Sequence, residues 1–157
     1  QGMTSNDLEA GEAGCPFCGM VRGAVQAHRV YSDQLVFAIL DRRPINPYHL
    51  LVIPCVHVPN FYALDDAVYN HLMLVAKRLA VAVHAVAAPK KVGLIIAGFD
   101  VAHTHVHVIP MHSYHDVTSP RLLDGTLGRP SASELAANAA RLVAFLETAP
   151  AGGSAVT

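Results

Sequence analysis

The sequence predicts a single α+β domain with a mostly antiparallel, five-stranded sheet, one long helix and a C-terminal helix. Five short segments rich in β-branched, aromatic or alternating apolar residues are separated by turn-forming residues. One long segment carries apolar residues at helical spacing, and a second helical segment follows near the end of the chain. The loops between strands are mostly of hairpin length, which favours antiparallel pairing, and no repeat or second core is evident in the 157 residues.

The composition indicates a globular chain whose ordered part is residues 15–147. It is 52% hydrophobic and 15% charged, unlike the composition of disordered chains. Residues 1–14 are small, polar and glycine-containing, and residues 148–157 are rich in glycine, serine and alanine. We therefore expect a disordered N-terminal segment, one domain and a flexible tail.

Charge and hydropathy argue against two classes of partner. The formal net charge is -1, so the chain lacks the broad cationic field that a nucleic-acid polymer usually requires. No apolar run reaches the roughly 18 residues that suggest a membrane span. The first residues are polar and acidic, unlike a signal peptide, and we expect a cytoplasmic protein with no membrane partner.

The first three strands follow from apolar runs and from the turn residues between them. Residues 29–32 and 35–41 are rich in β-branched and aromatic side chains, and the polar break at 32–34 predicts a hairpin turn. Two prolines and an asparagine indicate a loop at 44–47. Residues 49–53 form an apolar run, which predicts a strand buried on both faces that stops at the following proline.

The long helix is predicted over residues 65–87. Its apolar residues recur in steps of three and four and therefore share one face. Asp65 and Asp66 suit the N-terminal end of this helix, by side-chain capping and through the helix dipole. The predicted apolar stripe consists of Val68, Leu72, Val75, Leu79, Val83 and Val86.

Two strands and the C-terminal helix complete the domain. Residues 92–97 predict a strand, and residues 105–111 alternate strictly, with His105, His107 and Ile109 on one face. Residues 120–130 contain proline, glycine and arginine and indicate a loop. The sequence Ser-Ala-Ser-Glu at 131–134 has the pattern of a capping box and opens an alanine-rich helix that runs to about Glu147.

Histidine is the residue type that stands out. The chain has ten histidines, and five of them lie between positions 103 and 115. In a strand that begins by His103, the rings of His103, His105 and His107 would lie in a row on one face. Such a row can bind a metal, or it can present one imidazole as a nucleophile while its neighbours hold an oxyanion. A solvent-facing strand that merely carries histidines is the third interpretation, although the apolar residues around the run favour burial.

Cys15 and Cys18 have the spacing of half a tetrahedral zinc site. The chain has three cysteines and no export signal, which favours metal or redox chemistry over structural disulfides. A thioredoxin-like redox pair and two unmetallated core thiols are the competing interpretations. Cys55 is an alternative ligand, or an ordinary buried thiol.

These residues resemble the histidine-triad (HIT) superfamily of nucleotide hydrolases and transferases, in its zinc-binding form with a Cys-x-x-Cys pair. The signature is His-x-His-x-His followed by apolar residues, and the similarity covers roughly residues 15–112. The matching segments occur in family order: Cys15-Pro16-Phe17-Cys18, Val30-Tyr31, Phe37 to Asp41, His49-Leu50-Leu51-Val52-Ile53-Pro54 with His57, and His103-Thr104-His105-Val106-His107-Val108-Ile109.

The resemblance implies a HIT-like fold and a covalent mechanism. His105 would be the nucleophile that attacks the α-phosphorus of a nucleotide, and His107 would contact the phosphate oxygens. His49 matches the fourth histidine of family sites. Asp41 matches the carboxylate that binds the ribose hydroxyls. Phe17 and Ile39 match positions that wall the base, although both could be plain core residues. Family members commonly pair as homodimers.

The resemblance also implies a structural zinc ion. In some family members with the cysteine pair, the ligands match Cys15, Cys18, His57 and His103. In that case His103 is structural, and only His105 and His107 face the chemistry.

Several positions depart from the family pattern. Many members carry Gln-Ser just before the triad, as donors to the phosphate and leaving group, whereas this chain has Phe99 and Asp100. We include Asp100 among the candidate substrate-binding residues, although a carboxylate repels a phosphate unless it points away or binds a cation. Tyr48 stands at a usual glycine, and Arg42 stands where a base-packing apolar residue often lies. An asparagine common near residues 92–94 is also missing.

Three functions remain open at this point. The first is a hydrolase or nucleotidyl transferase that acts on nucleoside phosphoramidates, dinucleoside polyphosphates or related nucleotide conjugates. The second is a nucleotide-binding regulatory protein with little turnover, which the residues Phe99 and Asp100 suggest. The third is a hydrolase in which His103, His105 and His107 all ligate one catalytic metal.

Overall fold

The computed structural model describes residues 12–118 and 128–148. Its core element is a five-stranded sheet of order β1-β2-β3-β5-β4, in which every neighbouring pair is antiparallel. The predicted α+β class and the antiparallel five-stranded sheet are therefore confirmed. The strands are β1 (Arg29–Ser32), β2 (Val36–Leu40), β3 (Leu50–Pro54), β4 (Lys91–Ile95) and β5 (Val106–Met111).

Among the described residues, two long helices and two short ones pack around the sheet, besides a helical turn at residues 12–14. The long helices match the predicted positions within one residue at each end. The two short helices were not predicted from the sequence, because one turn or two of helix leaves too few residues for a periodic pattern. The helices are α1 (Pro16–Val21), α2 (Asp66–Ala87), α3 (His115–Thr118) and α4 (Ala132–Thr148), with a 3-10 turn at Phe61–Ala63. In the described ranges, no helix is both long and apolar enough to cross a bilayer.

The central strands are buried on both faces, and successive residues enter two different cores. In β3, as predicted, all five residues are buried. Leu50 and Val52 pack in the larger core beneath α2 and α4. Leu51 and Ile53 point to the other face, where α1 covers the sheet. This alternation decides which side chains of β5 meet α1, since β5 pairs directly with β3.

Helix α2 buries the predicted stripe against the sheet. Leu72, Val75, Leu79 and Val83 are buried, and the two valines at the ends of the stripe are partly buried. The N-cap residue of this helix does not make the side-chain capping bond that was predicted. Asp65 is the N-cap, but its side chain makes no capping hydrogen bond.

Helix α4 begins with the predicted capping box. The Glu134 carboxylate accepts the Ser131 backbone N–H at 2.8 Å, and the Ser131 hydroxyl accepts the Glu134 N–H at 3.2 Å. The reciprocal bonds satisfy two of the backbone donors that a helix N-terminus leaves unpaired. Of the predicted disordered segment, loop and tail, residues 1–11, 119–127 and 149–157 lie outside the described residues, and residues 12–14 form a helical turn.

The β1–β2 hairpin is fastened to α2 by one carboxylate. Asp33 accepts hydrogen bonds from the Tyr31 hydroxyl and from His71, both at 2.6 Å. It also accepts the backbone N–H groups of Leu35 and Val36. Burial by itself raises the pKa of Asp33, but these hydrogen bonds outweigh it and hold the pKa well below its usual range.

We expect Asp33→Ala to lower the free energy of unfolding by about 2–3 kcal/mol, because several charge-assisted hydrogen bonds are lost together. Urea unfolding at neutral pH measures the change. Asp65→Ala is the matched control, since Asp65 is a helix N-cap without a side-chain bond, and it should cost less than about 0.5 kcal/mol. Equal losses in the two variants would contradict the role of the Asp33 network.

Candidate functional site

The histidine run lies at the start of β5, but only part of it is strand. Strand β5 begins at Val106, so His103 and His105 precede it. Thr104 donates from both its backbone N–H and its hydroxyl to the Val58 carbonyl, each at 2.8 Å. The Nδ1 atom of His103 faces Cys15 and Cys18, whose Sγ atoms lie 3.4 and 3.6 Å away. Since the strand begins at Val106 rather than at His103, the condition for a row of three imidazoles along one strand face is not met.

The ring of His105 is fixed by a bond to its own chain segment. Its Nδ1 lies 2.7 Å from the His103 carbonyl oxygen. Because a carbonyl can only accept, Nδ1 carries the proton and the lone pair is on Nε2. Phe17 packs its edge against this ring, with 5.2 Å between the ring centroids. His105 is only 4% exposed, so its orientation is well determined by packing.

His107 and His49 are linked in a chain of hydrogen bonds. The Ile45 backbone N–H donates to Nδ1 of His49 at 3.1 Å, which places the proton of His49 on Nε2. His49 Nε2 then donates to Nδ1 of His107 at 2.9 Å. The remaining nitrogen of His107, Nε2, therefore carries a proton. The result is a donor on His107 beside a lone pair on His105, with 5.0 Å between the two ring centroids.

Burial keeps these rings neutral. Desolvation lowers the pKa of His49 to about 4, while the nearby Asp41 carboxylate opposes the shift. Desolvation and the neighbouring His105 lower the pKa of His107, and the charges of Asp41 and Asp100 oppose this. At neutral pH the rings thus have the tautomers that the hydrogen bonds require.

The low pKa of His49 predicts a loss of stability in acid. As the pH falls from 6.5 towards 4, His49 is protonated in the unfolded chain and stays neutral in the folded protein. Unfolding therefore becomes easier over this window, by on the order of 3 kcal/mol. Thermal unfolding from pH 7.5 to 4.5 should show a smaller decline for His49→Gln than for wild type, with His84→Gln as the control on an exposed helix face. Parallel declines in all three proteins would contradict this origin.

The predicted substrate-binding residues line one cavity of about 170 Å³ together with His105 and His107. Phe17 and Ile39 are 5% and 4% exposed, and they form its apolar wall. Asp41 follows β2, and its carboxylate lies 3.7 Å from His49 Nε2. A second cavity of about 560 Å³ shares Asp41, Asp100 and His107 and also reaches His49. The structure thus brings together all seven residues that the sequence analysis assigned to catalysis and substrate binding.

Phe99 and Asp100, the two residues before the triad that depart from the family pattern, have different surroundings. Asp100 lines both cavities. The side chain of Phe99 is 96% exposed, so it lies in solvent and outside both cavities. Arg42, which sequence reasoning treated only as a departure, lines the 170 Å³ cavity.

The four predicted metal ligands form a separate cluster between α1 and the triad segment. Cys15 and Cys18 are buried where α1 begins, and His103 is fully buried beside them. The ligand atoms of Cys15, Cys18, His57 and His103 all lie within 4.8 Å of one another. Burial and the neighbouring Cys15 raise the pKa of Cys18 to about 12. The thiol therefore gives up its proton only when a cation replaces it.

The geometry of this cluster is compatible with tetrahedral zinc. Cys18 Sγ lies 3.2 Å from Nδ1 of His57 and 3.6 Å from Nδ1 of His103. The two Nδ1 atoms are 3.2 Å apart. Zinc–ligand bonds of about 2.0–2.3 Å give tetrahedral edges of roughly 3.3–3.8 Å. His103 Nε2 donates to the Pro54 carbonyl at 2.8 Å, which leaves the Nδ1 lone pair facing the cluster.

This arrangement rules out one alternative. A metal held by all three triad histidines requires their rings to converge, but His103 faces the two cysteines. Within the part of the chain that the structure describes, the groups that could hold a metal are the cysteine cluster and Asp41 with His49 and His107, and neither includes His105. Cys55 lies outside both groups as well.

A family model and several known proteins are similar to this chain. The model of the HIT domain family matches residues 22–114. A HIT-like protein of Mycoplasma pneumoniae is 34% identical over 103 residues, which are 62% of this chain and 72% of that protein. An adenylylsulfatase of Arabidopsis thaliana is 28% identical over 101 residues, which are 61% of this chain and 51% of that protein.

A solved structure extends the similarity to most of the chain. The crystal structure of a zinc-bound histidine triad family protein from Mycobacterium smegmatis has a TM-score of 0.68 and 25% identity. The match covers 87% of this chain and 95% of that one.

Proposed function

The chain belongs to the HIT family, and from this premise we propose that it is a nucleotide hydrolase or nucleotidyl transferase that forms a covalent nucleotidyl-histidine at His105. The observation that carries the proposal is the hydrogen bond from His105 Nδ1 to the His103 carbonyl, at 2.7 Å. This bond leaves the Nε2 lone pair on a ring that lines the cavity. The proposed substrates are nucleoside phosphoramidates, dinucleoside polyphosphates or related nucleotide conjugates.

In the first step, His105 Nε2 attacks the α-phosphorus. The N–P bond forms as the bond to the leaving group breaks, and the leaving group departs with its electron pair. The proton on His107 Nε2 lies on the same side of the site and can bind a phosphate oxygen as negative charge develops there. In the second step, water or another acceptor attacks the phosphorus and releases a proton, which balances the proton that the leaving group took up from solvent in the first step. The N–P electrons return to Nε2 of His105.

His49 is a positioning residue in this mechanism. It holds His107 with its Nε2 proton outward, because its own Nδ1 is occupied by the Ile45 N–H. A reversed tautomer would leave His107 with no donor for the phosphate. The geometry of three residues thus prepares a donor before substrate arrives.

The nucleoside part would occupy the wall of the same cavity. The Asp41 carboxylate would accept the ribose hydroxyls, and Phe17 and Ile39 would contact the base. Asp100 lines both cavities with His107 and would face the phosphate, where a carboxylate disfavours a highly charged leaving group.

We assign a structural zinc ion to Cys15, Cys18, His57 and His103. Zinc would join α1 to the triad segment by four bonds and so fix Phe17 against His105. The buried thiols, the inward lone pair on His103 and the tetrahedral spacing support this assignment.

The test is to trap the intermediate. Wild-type protein is incubated with adenosine phosphoramidate and with diadenosine polyphosphates, quenched without acid, and digested for peptide mass spectrometry. We expect AMP release and an acid-labile nucleotidyl group on His105. Turnover without an adduct, or an adduct on another histidine alone, would overturn the mechanism.

A second candidate function is nucleotide binding with little turnover. It is favoured by Asp100 at the place of a phosphate donor and by Phe99, which is 96% exposed. This candidate requires AMP to bind while no member of the substrate panel releases it. The same experiment, with calorimetry of AMP binding added, separates the two functions.

The assembly proposed for the protein is a homodimer formed through β4. This strand is an edge of the sheet and carries Leu94, which is 41% exposed. An unpaired apolar edge is a surface that proteins usually cover. Light scattering should give twice the monomer mass for wild type and the monomer mass for Leu94→Lys; a wild-type monomer would contradict the proposal.

A further inference from the structure

A groove of about 750 Å³ adjoins the histidine cavity. The two spaces share Met20, Ile39, Leu40 and Arg42 as lining residues. They are therefore neighbouring compartments of one surface depression, with Arg42 at the boundary. The groove is larger than the cavity of about 170 Å³ that holds His105, and the mechanism proposed above assigns it no ligand.

The groove is cationic. Its lining includes Arg42, Arg43 and Arg129, together with His28, and it includes no aspartate or glutamate. In the described ranges none of these arginines has a carboxylate within ion-pair distance. Three other arginines each have a structural partner: Arg29 donates to the Met20 carbonyl, Arg141 donates to the Tyr48 hydroxyl, and Arg78 lies over the Tyr31 ring. Arg129 also lines an adjoining cavity with Asp41 and Glu134, so the local excess is smaller than three charges. The lining of the groove itself is nevertheless positive, in a chain of formal charge -1, which indicates an anionic ligand.

The arginines are placed by fixed elements. The Asp41 carboxylate accepts the Arg43 backbone N–H at 2.8 Å, and this bond closes the turn that carries Arg42 and Arg43 directly after β2. Arg129 precedes the capping box of α4 by two residues. The same Asp41 is the proposed ribose ligand, so the cationic groove begins where the ribose would end.

The order of the strands in the sheet indicates where the groove lies relative to His105 and Asp41. The nucleophile lies at β5, His49 lies before β3, Asp41 lies after β2 and His28 lies just before β1. Neighbouring strands are about 4.8 Å apart, so Asp41 is about two strand spacings from the phosphate site and the groove continues one strand farther. A group in the groove would therefore lie beyond Asp41, on the side away from His105.

We propose that the groove binds a second phosphate, carried on the 2′- or 3′-oxygen of the nucleotide ribose. Guanidinium groups suit this ligand because they donate paired hydrogen bonds to phosphate oxygens. With one ribose oxygen phosphorylated, Asp41 still accepts the other hydroxyl, and the arginines offset the added charge. This inference rests on the proposed function and names the class of nucleotide that the site prefers.

The experiment compares affinities by calorimetry on the full chain with its metal. The ligands are AMP, adenosine 2′,5′-bisphosphate, adenosine 3′,5′-bisphosphate and the dinucleotide pApA, whose 3′-phosphate is a diester. We expect one of the bisphosphates to bind at least about tenfold more tightly than AMP. The dinucleotide distinguishes a free phosphate from the 5′ end of an oligonucleotide. The combined variant Arg42→Gln, Arg43→Gln and Arg129→Gln should reduce the ratio to within about twofold of one.

The matched control removes the same charge elsewhere. Lys77, Lys90 and Lys91 are exposed and do not line the groove, so their replacement by glutamine should preserve the ratio. Equal affinity of wild type for AMP and both bisphosphates would overturn the groove assignment, as would equal loss of the ratio in the control. If AMP and the bisphosphates all fail to bind, the proposed function falls together with the groove. If AMP binds and forms the His105 adduct while the bisphosphates gain nothing, only the groove assignment falls.

Discussion

Replacing His105 by glutamine is expected to reduce the turnover of a nucleoside phosphoramidate by about ten-thousand-fold or more. The amide of glutamine keeps a polar group of similar reach in place of the ring whose Nδ1 donates to the His103 carbonyl at 2.7 Å. It has no basic lone pair with which to form the N–P bond. Because Asp41, Phe17 and His107 remain in place, the dissociation constant of AMP should change by less than about threefold.

Single-turnover kinetics and calorimetry of the same preparations measure the two effects. His84→Gln is the control, since it removes an exposed histidine of α2 and should retain full activity. A His105→Gln variant with near wild-type turnover would eliminate His105 as the nucleophile. A variant that loses turnover and AMP binding equally would show that the substitution damaged the site rather than the chemical step.

The fold could be predicted from the sequence because each element carries its own local signal. The apolar stripe of α2 follows from helical periodicity, and the buried strand β3 follows from a continuous apolar run that stops at a proline. The capping box at Ser131 and Glu134 depends on residues three apart, and it formed as expected. The predicted side-chain capping by Asp65 is not found, since Asp65 occupies the N-cap position but its carboxylate makes no capping hydrogen bond.

The site was harder to predict, because its decisive contacts join distant parts of the chain. Residue spacing suggests that His103 lies beside His105 on a strand. The strand instead begins at Val106, and His103 faces Cys15 and Cys18, which are 88 and 85 residues earlier in the chain, so this contact has no signal in the local sequence. The tautomers of His49 and His107 depend on the backbone N–H of Ile45, which only the folded structure brings within reach.

The backbone conformation of Tyr48 explains why the family usually has a glycine at this position. Its φ is +74°, in the left-handed region that glycine adopts most easily, and the resemblance places a glycine there. A tyrosine in this conformation costs about 1–2 kcal/mol. The side chain is only 8% exposed and accepts a hydrogen bond from Arg141 of α4, and these contacts offset the cost.

Removing the proposed zinc ion is expected to lower the melting temperature by more than about 10 °C, since the loss of four ligand bonds would cost several kcal/mol in a domain of this size. Cys18→Ser tests this directly, with zinc content measured by atomic spectroscopy. Cys55→Ser is the matched control, because Cys55 is a partly buried thiol outside the ligand cluster. It should keep both the zinc and the melting temperature.

Because the cysteine cluster adjoins the triad segment, removing the proposed zinc should also affect the active site. The cysteine ligands lie at the start of α1, and Phe17 between them packs against both His103 and His105. Without the proposed zinc, α1 would keep its apolar contacts to Phe37 and Ile53 but would lack the coordination bonds that join it to the triad segment. Chelation should therefore weaken AMP binding in parallel with stability, and added zinc should restore both. A protein that is purified without zinc and melts at the same temperature as the zinc-loaded form would contradict the structural role of the metal.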